Sequence, residues 1–237
     1  MPKSSSDPFK GYRFPREIIS HAVWLYYRFS LSLRDVEELL AYRGIVVSYQ
    51  TISEWEETFG PLFADVIRRN RPKPGDKWFL DEVVIKIKGE IFYLWRAVDQ
   101  HGDELDVLVQ KRRNKRAAKR FLTKLVKTYG CDPRVMITDK LRSYGAAEKE
   151  VMPDVDHRQH KGLNNRAEAS HKPTRRRERV MQRFKSPHHA QRFCAAHDQI
   201  NTLFRPHRHR LSARSYRHAR SDAFALWDDF TDELTPA

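Results

Sequence analysis

Cysteine is nearly missing from this chain. Cys131 and Cys194 are the only two, and they form no CxxC pair. That excludes a disulfide-stapled secreted scaffold and a cysteine-based zinc module, and fits a cytosolic protein. No run of about 18 apolar residues occurs, so no membrane-spanning helix is expected. The opening MPKSSSDPFKGYRF lacks the apolar core of a secretion signal. There is no glycine-rich phosphate loop and no GxSxG, so P-loop nucleotide hydrolysis and serine hydrolysis have no support. Negative charge is short as well. Lys and Arg number 45 against 31 Asp and Glu, a net charge of +14. That balance favours a polyanionic partner, nucleic acid first.

The remainder is organised around KWFLDEVVIKI, residues 77–87. Its apolar run reads as a covered strand with one carboxylate, Asp81, in the middle. Burying an acid is costly unless it is paired or holds a metal. A second strand-like run, RVMITDK, ends in Asp139, and GLNNRAEASH carries Glu168 on a helix. Three unrelated polar residues would be the plain alternative. Side chains alternate faces along a strand, so Glu82 is expected to point away from whatever Asp81 faces and not to be a ligand. On the helix, Glu168 shares a face with Asn164, Asn165, His171 and Lys172. Two strand aspartates and a helix glutamate offer hard oxygen ligands, which select Mg2+ or Mn2+. Two such ions about 3.5–4 Å apart suit phosphodiester chemistry. No other cofactor is implied.

Five regions follow from the pattern: a leader at 1–12, a helix-turn-helix at 13–62, a basic linker at 63–76, a catalytic domain at 77–206 and a basic, then acidic, tail at 207–237. In the second region, helices open at Pro15, at Ser32 with Asp35 as a capping box, and at Ser48. Val36, Leu39 and Leu40 line the second helix, and Gly60-Pro61 is expected to stop the third. A helix-turn-helix lays its last helix in the DNA major groove, which makes Tyr49, Gln50, Thr51 and Ser53 the base-facing candidates. A small dimerisation module has the same pattern. Glu54, Glu56 and Glu57 put acid where phosphates approach.

The catalytic region reads as three antiparallel strands, a helix capped by Asn114 and stopped by Gly130, a strand, a helix, a short strand and two more helices. This α/β (α+β) order is that of a ribonuclease-H-like mixed sheet. Lys140, Arg142, Lys172, Arg175, Arg176, Arg177, Arg179 and Lys185 surround the acids and are the candidates for phosphate contact. His157, His160, His207 and His209 lack cysteine partners, so phosphate or sugar contact suits them better than zinc. Asp99 reads as a turn-capping residue.

LDEVVIKIKG, YLWRAVDQ, VMITDKLRSYGAA, HRQHKGLNNRAE and RRRERVMQRFKS together resemble the DDE transposases of short bacterial insertion sequences, the IS-six family. The similarity runs from about Gly11 to Tyr216. The resemblance places the family triad on Asp81, Asp139 and Glu168, at intervals of 58 (139 − 81) and 29 (168 − 139) residues. Ala169 stands where such proteins commonly carry Asn. The resemblance implies binding of terminal inverted repeats in double-stranded DNA, metal-dependent 3′-end cleavage and strand transfer. It also implies a homodimer or larger assembly on DNA, and a cytoplasmic, nucleoid-associated bacterial protein without membrane contact. The alternative is a non-catalytic DNA-binding relic or regulator of an insertion element, which the acidic third helix favours.

Overall fold

A computed structural model describes residues 7–204 and 211–235. Half of the expected leader, and the stretch 205–210 with His207 and His209, lie outside the described residues. In chain order the elements are α1 (Arg16–Arg28), α2 (Leu33–Tyr42), α3 (Tyr49–Asn70), β1 (Lys77–Ile87), β2 (Glu90–Asp99), β3 (Glu104–Gln110) and α4 (Lys115–Tyr129). They continue as β4 (Val135–Thr138), α5 (Arg142–Val151), β5 (Asp156–Gln159), α6 (Asn165–Val180), α7 (Pro187–Leu203) and α8 (Ala213–Glu233). The chain forms two units, residues 1–71 with 195–237, and residues 72–194. Among the described residues, no helix is long and apolar enough to cross a membrane.

The first unit is helical. Ser32 and Asp35 form the expected capping box, and Ser48 accepts from the Thr51 amide. These bonds satisfy amides that a helix start leaves without partners. Ile19, Ala22, Val23, Tyr26 and Tyr27 form the buried stripe of α1. In α2 only Val36 and Leu40 are buried, whereas Leu39 is 45% exposed. At ten residues, α2 presents one narrow stripe, and Leu39 falls on its flank.

Pro61 does not stop α3. The helix runs through it to Asn70, so the extended linker shrinks to residues 71–76. An interior proline costs roughly 3 kcal/mol. Phe63, Ala64, Val66 and Ile67 continue the buried face beyond it, and burying a single large apolar side chain recovers about 1.5–3 kcal/mol. Gly60 serves packing here: a Cβ at that position would meet the Tyr27 hydroxyl at 2.5 Å.

The C-terminal segment is not a loose tail. Ser212 caps α8, a helix of 21 residues that buries Ala223, Trp227 and Phe230. Trp227 stacks on Phe63 with ring centroids 4.2 Å apart, and Phe204 and Phe224 join Trp24 around them. The acidic appearance of DAFALWDDFTDE reflects the outer face of an amphipathic helix, which includes Asp228 and Asp229.

The second unit is a five-stranded sheet in the order β3-β2-β1-β4-β5. β1 to β3 are antiparallel neighbours, while β4 and β5 run parallel to β1. α4 supplies the crossover that parallel pairing requires. Asn114 caps α4, and Gly130 ends it in the left-handed conformation with φ +65°. Alternation along β1 divides the core. Trp78 and Leu80 pack with Trp95 and with Phe121 and Leu122 of α4. Phe79 packs on the other face with Val98, Ile137 and Ala167 of α6. Helices on both faces of this mixed sheet give the ribonuclease-H-like arrangement that the element order implied.

If α8 belongs to the core of the helical unit, Trp227→Ala removes its central contact. The variant should lose about 3–5 kcal/mol of that unit's stability in chemical denaturation. A loss below about 1 kcal/mol would mean that α8 is peripheral.

Candidate active site

β4 ends at Thr138, which pairs with Leu80 of β1. Asp81 and Asp139 are the next residues along the two parallel strands, so the two acids arrive at the same level of the sheet. The Asp139 carboxylate is oriented by its own turn: Oδ1 accepts from the Leu141 amide at 2.9 Å. Such Asx turns suit a residue where a strand gives way to a loop.

Glu82 departs from expectation. Alternation does send it to the α4–α5 face, opposite Asp81. Yet among the described residues no strand pairs with β1 on the β4 side beyond Leu80, and the two carboxylates approach around that edge. One oxygen each from Asp81, Glu82 and Asp139 lies within 4.8 Å of the others. The Glu82 side chain is only 1% exposed. Arg113, between β3 and α4, donates from Nε to Glu82 Oε1 at 2.6 Å and from Nη2 to Asp139 Oδ2 at 3.5 Å. Burial first, then the Asp139 charge, push the Glu82 carboxyl up to about 7 against the pull of Arg113. Burial and then Glu82 hold the nearby Tyr144 phenol well above its ordinary range. The signal in the sequence was the brevity of VMIT, which leaves β1 longer than its partner.

α6 closes the other face. Asn164, fully buried, donates from Nδ2 to the Leu80 carbonyl at 2.8 Å. Arg96 lies across from Asp81 on β2 and is itself fully buried. It donates to the Ser170 carbonyl and, at 2.5 Å, to Thr174 Oγ1. Between these anchors His171 Nε2 stands 3.3 Å from Asp81 Oδ2. The expected shared face of α6 therefore splits: Asn164 and His171 are buried, while Asn165, Glu168 and Lys172 are exposed. Ala167, His171 and Thr174 form the sheet-facing stripe, which puts Glu168 on its flank, one turn before His171. The structure thus brings Asp81 and Asp139 together, adds Glu82, and leaves Glu168 outside that cluster.

Among the basic candidates, Lys140, Arg142, Lys172, Arg176, Arg179 and Lys185 are exposed. Arg175 is half-buried, donates to the Val84 carbonyl and pairs with Glu178 at 2.9 Å. Arg177 is not a surface cation. It is 1% exposed and lies 5.4 Å from the centroid of the Phe193 ring. Three residues on from Thr174, it falls near the buried side of α6, where an arginine stacks rather than reaches for phosphate. His157 is also an interior residue, 2.9 Å from Thr138 Oγ1 and 3.7 Å from Glu148. Asp99 caps the β2–β3 turn by accepting from the His101 and Asp103 amides.

In the helical unit, Gln50 is exposed, while Tyr49, Thr51 and Ser53 are half-buried. Arg34 covers the Tyr49 ring at 4.6 Å, and Thr51 Oγ1 is 3.1 Å from Ser48 Oγ. Of the α3 acids that crowd this face in the sequence, Glu56 turns inward and accepts from the Tyr27 hydroxyl at 2.7 Å. Glu54 and Glu57 stay exposed.

A family model described as a DDE domain, of the IS240 transposase type, matches residues 75–207. The transposase for insertion sequence-like element IS431mec of Staphylococcus aureus is 35% identical over 170 residues, 69% of this chain and 75% of the relative. The transposase for insertion sequence element IS257 in transposon Tn4003, also of Staphylococcus aureus, matches with the same identity and coverage. Among solved structures, the HTLV-2 integrase catalytic core domain in complex with magnesium is similar at 17% identity with a TM-score of 0.39. That likeness covers 55% of this chain and 86% of that one.

The raised Glu82 carboxyl makes stability depend on pH. The folded chain holds this proton up to about pH 7, whereas the unfolded carboxyl releases it near 4.5. Between those values the folded state binds more protons, so Glu82's contribution to stability falls as pH rises and levels off above 7. Urea unfolding of the metal-free protein from pH 5 to 8 should show this decline, and Glu82→Gln should flatten it. An identical slope in the variant would refute the assignment.

Proposed function

Since the chain belongs to the DDE transposases of the IS240 type, we propose that it moves an insertion sequence by cutting the element's 3′ ends and joining them to target DNA. The observation that carries this reading is the placement of Asp81 and Asp139 at one level on adjacent parallel strands, with hard oxygen donors only. Such a donor set fits Mg2+ or Mn2+. Bound there, divalent cations supply activation of the attacking oxygen and stabilisation of the leaving oxygen. Asp81 and Asp139 would hold the cations, with Glu168 of α6 as the third acid of the family triad. His171 keeps Asp81 aimed, and the exposed Lys140, Arg142, Lys172, Arg176, Arg179 and Lys185 bind the phosphate backbone.

In this reading the reaction consists of two displacements. Water attacks the phosphodiester at the element's end, and the bond to the 3′ oxygen breaks to leave a free 3′-hydroxyl. That hydroxyl then attacks a target phosphodiester, forming one bond as another breaks, without an external energy source. The helical unit recognises the terminal repeats, with Gln50, Tyr49, Thr51 and Ser53 on the base-facing side of α3 and residues 71–76 adding cations. A second reading, a DNA-binding regulator that does not cut, draws on the separation of Glu168 from the acid pair.

Asp81→Asn, Asp139→Asn and Glu168→Gln should each lose nearly all cleavage of end-bearing DNA with Mg2+ or Mn2+, and pairs of them should be little worse than one. Binding to the same DNA should persist, weakening steeply with added salt. Normal cleavage by Asp139→Asn would end the assignment, while a wild-type chain that binds ends and never cuts would favour the regulator. Joining two ends needs at least two protomers, so light scattering of the end-bound complex should give the mass of two chains or more. A single chain holding both ends would contradict that.

A further inference from the structure

Glu82 and Arg113 have no place in the triad, yet they touch it. Asp139 has two carboxylate oxygens with different fates: the Leu141 amide holds Oδ1, and Oδ2 faces Arg113 at 3.5 Å. The same guanidinium is much closer to Glu82, with Nε 2.6 Å from Oε1. The two acids therefore compete for one cation, and Glu82 has the better share. Glu82 is also the better fixed, since it is packed beside Trp95 and Tyr144 under the α4–α5 layer with its side chain almost wholly buried. Arg113 is less confined: its side chain is 41% exposed and it sits in the loop between β3 and α4.

We propose that Glu82 is a positioning residue that acts through Arg113: it tethers the guanidinium at the rim of the site and keeps Asp139 Oδ2 open to a divalent cation. Without the tether, Arg113 closes on Asp139 and occupies the place that a cation needs. With it, Arg113 screens the repulsion among three neighbouring carboxylates without neutralising the one that must bind. This inference rests on the transposase reading above. It differs from a role for Glu82 as a direct ligand, which the proximity of its carboxylate to Asp81 and Asp139 would also allow.

A double-mutant cycle on the full chain separates these roles. Binding of Mn2+ to the DNA-free protein is measured by calorimetry at pH 8, with thermal melts to verify folding. Glu82→Gln should weaken Mn2+ binding about tenfold, the scale at which residues behind metal ligands act. Arg113→Gln removes the competing cation and should tighten binding at least about threefold. In the Arg113→Gln background, Glu82→Gln should then change affinity by less than about twofold, because nothing is left to tether. The same tenfold loss in both backgrounds would overturn the proposal and make Glu82 a ligand in its own right. No loss in either background would overturn it equally. If Glu82→Gln fails to fold, Arg113→Gln alone decides: unchanged or weaker Mn2+ binding sinks the idea. Asp81→Asn and Asp139→Asn are run alongside. Should they bind Mn2+ like the parent chain, the acid site itself is misassigned, whatever Glu82 does.

Discussion

β4 is four residues long, and its last pair with β1 is Thr138 with Leu80. β1 continues seven residues further, to Ile87, where β2 is the one strand that pairs with it among the described residues. The acid cluster of the second unit sits at that step. The step lets Asp139 leave the sheet beside Asp81 and turn onto the Leu141 amide. It also opens the edge around which Glu82 reaches the other two acids. A longer β4 would cover that edge with backbone and leave Asp81 and Glu82 on separate faces. The site is thus a consequence of strand length, set where the apolar run VMIT gives way to a polar one.

The second constraint is how α6 is held. Its first residues hang from β1 through Asn164, and its middle from β2 through the buried Arg96. A buried guanidinium is expensive unless its donors are met, so Arg96 fixes the helix's rotation as well as its distance. With residues 164, 170 and 174 pinned, His171 must face Asp81, and Glu168 must lie on the flank. The position of Glu168 is therefore set by the anchors of α6 on either side of it.

Local signals are legible in the sequence because they depend on neighbours in the chain. Ser32 with Asp35, Ser48, Asn114 and Gly130 act within one turn of themselves, and each caps the helix its spacing announces. The strand aspartates were legible for a similar reason, since an acid inside an apolar run is conspicuous. What was not legible depends on partners far away. Pro61 reads as a stop, and the helix continues because of burial beyond it, which includes the packing of Phe63 against Trp227, 164 residues later (227 − 63). Arg177 looked like one more cation in a basic run, and only Phe193 makes it an interior residue. Glu82 followed the alternation rule and still joined the site, because the rule gives the face but not the length of the neighbouring strand.

The three clustered acids also show how folding and function oppose each other here. Carboxylates within 4.8 Å of one another repel, and Glu82 resists ionising first for its burial and then for the charge of Asp139. A fold selected for stability alone would replace at least one of them with an apolar or neutral residue. Arg113 relieves part of the repulsion, but it is shared unequally and leaves Asp139 with the weaker contact. The unrelieved remainder is an electrostatic field that only a further cation can satisfy. A cation that binds the folded chain and not the unfolded one would stabilise the fold by an amount that grows with its concentration relative to Kd. The repulsion left standing between Asp81 and Asp139 is what a bound cation would relieve, and neutralising either of these two acids would remove that pull with it.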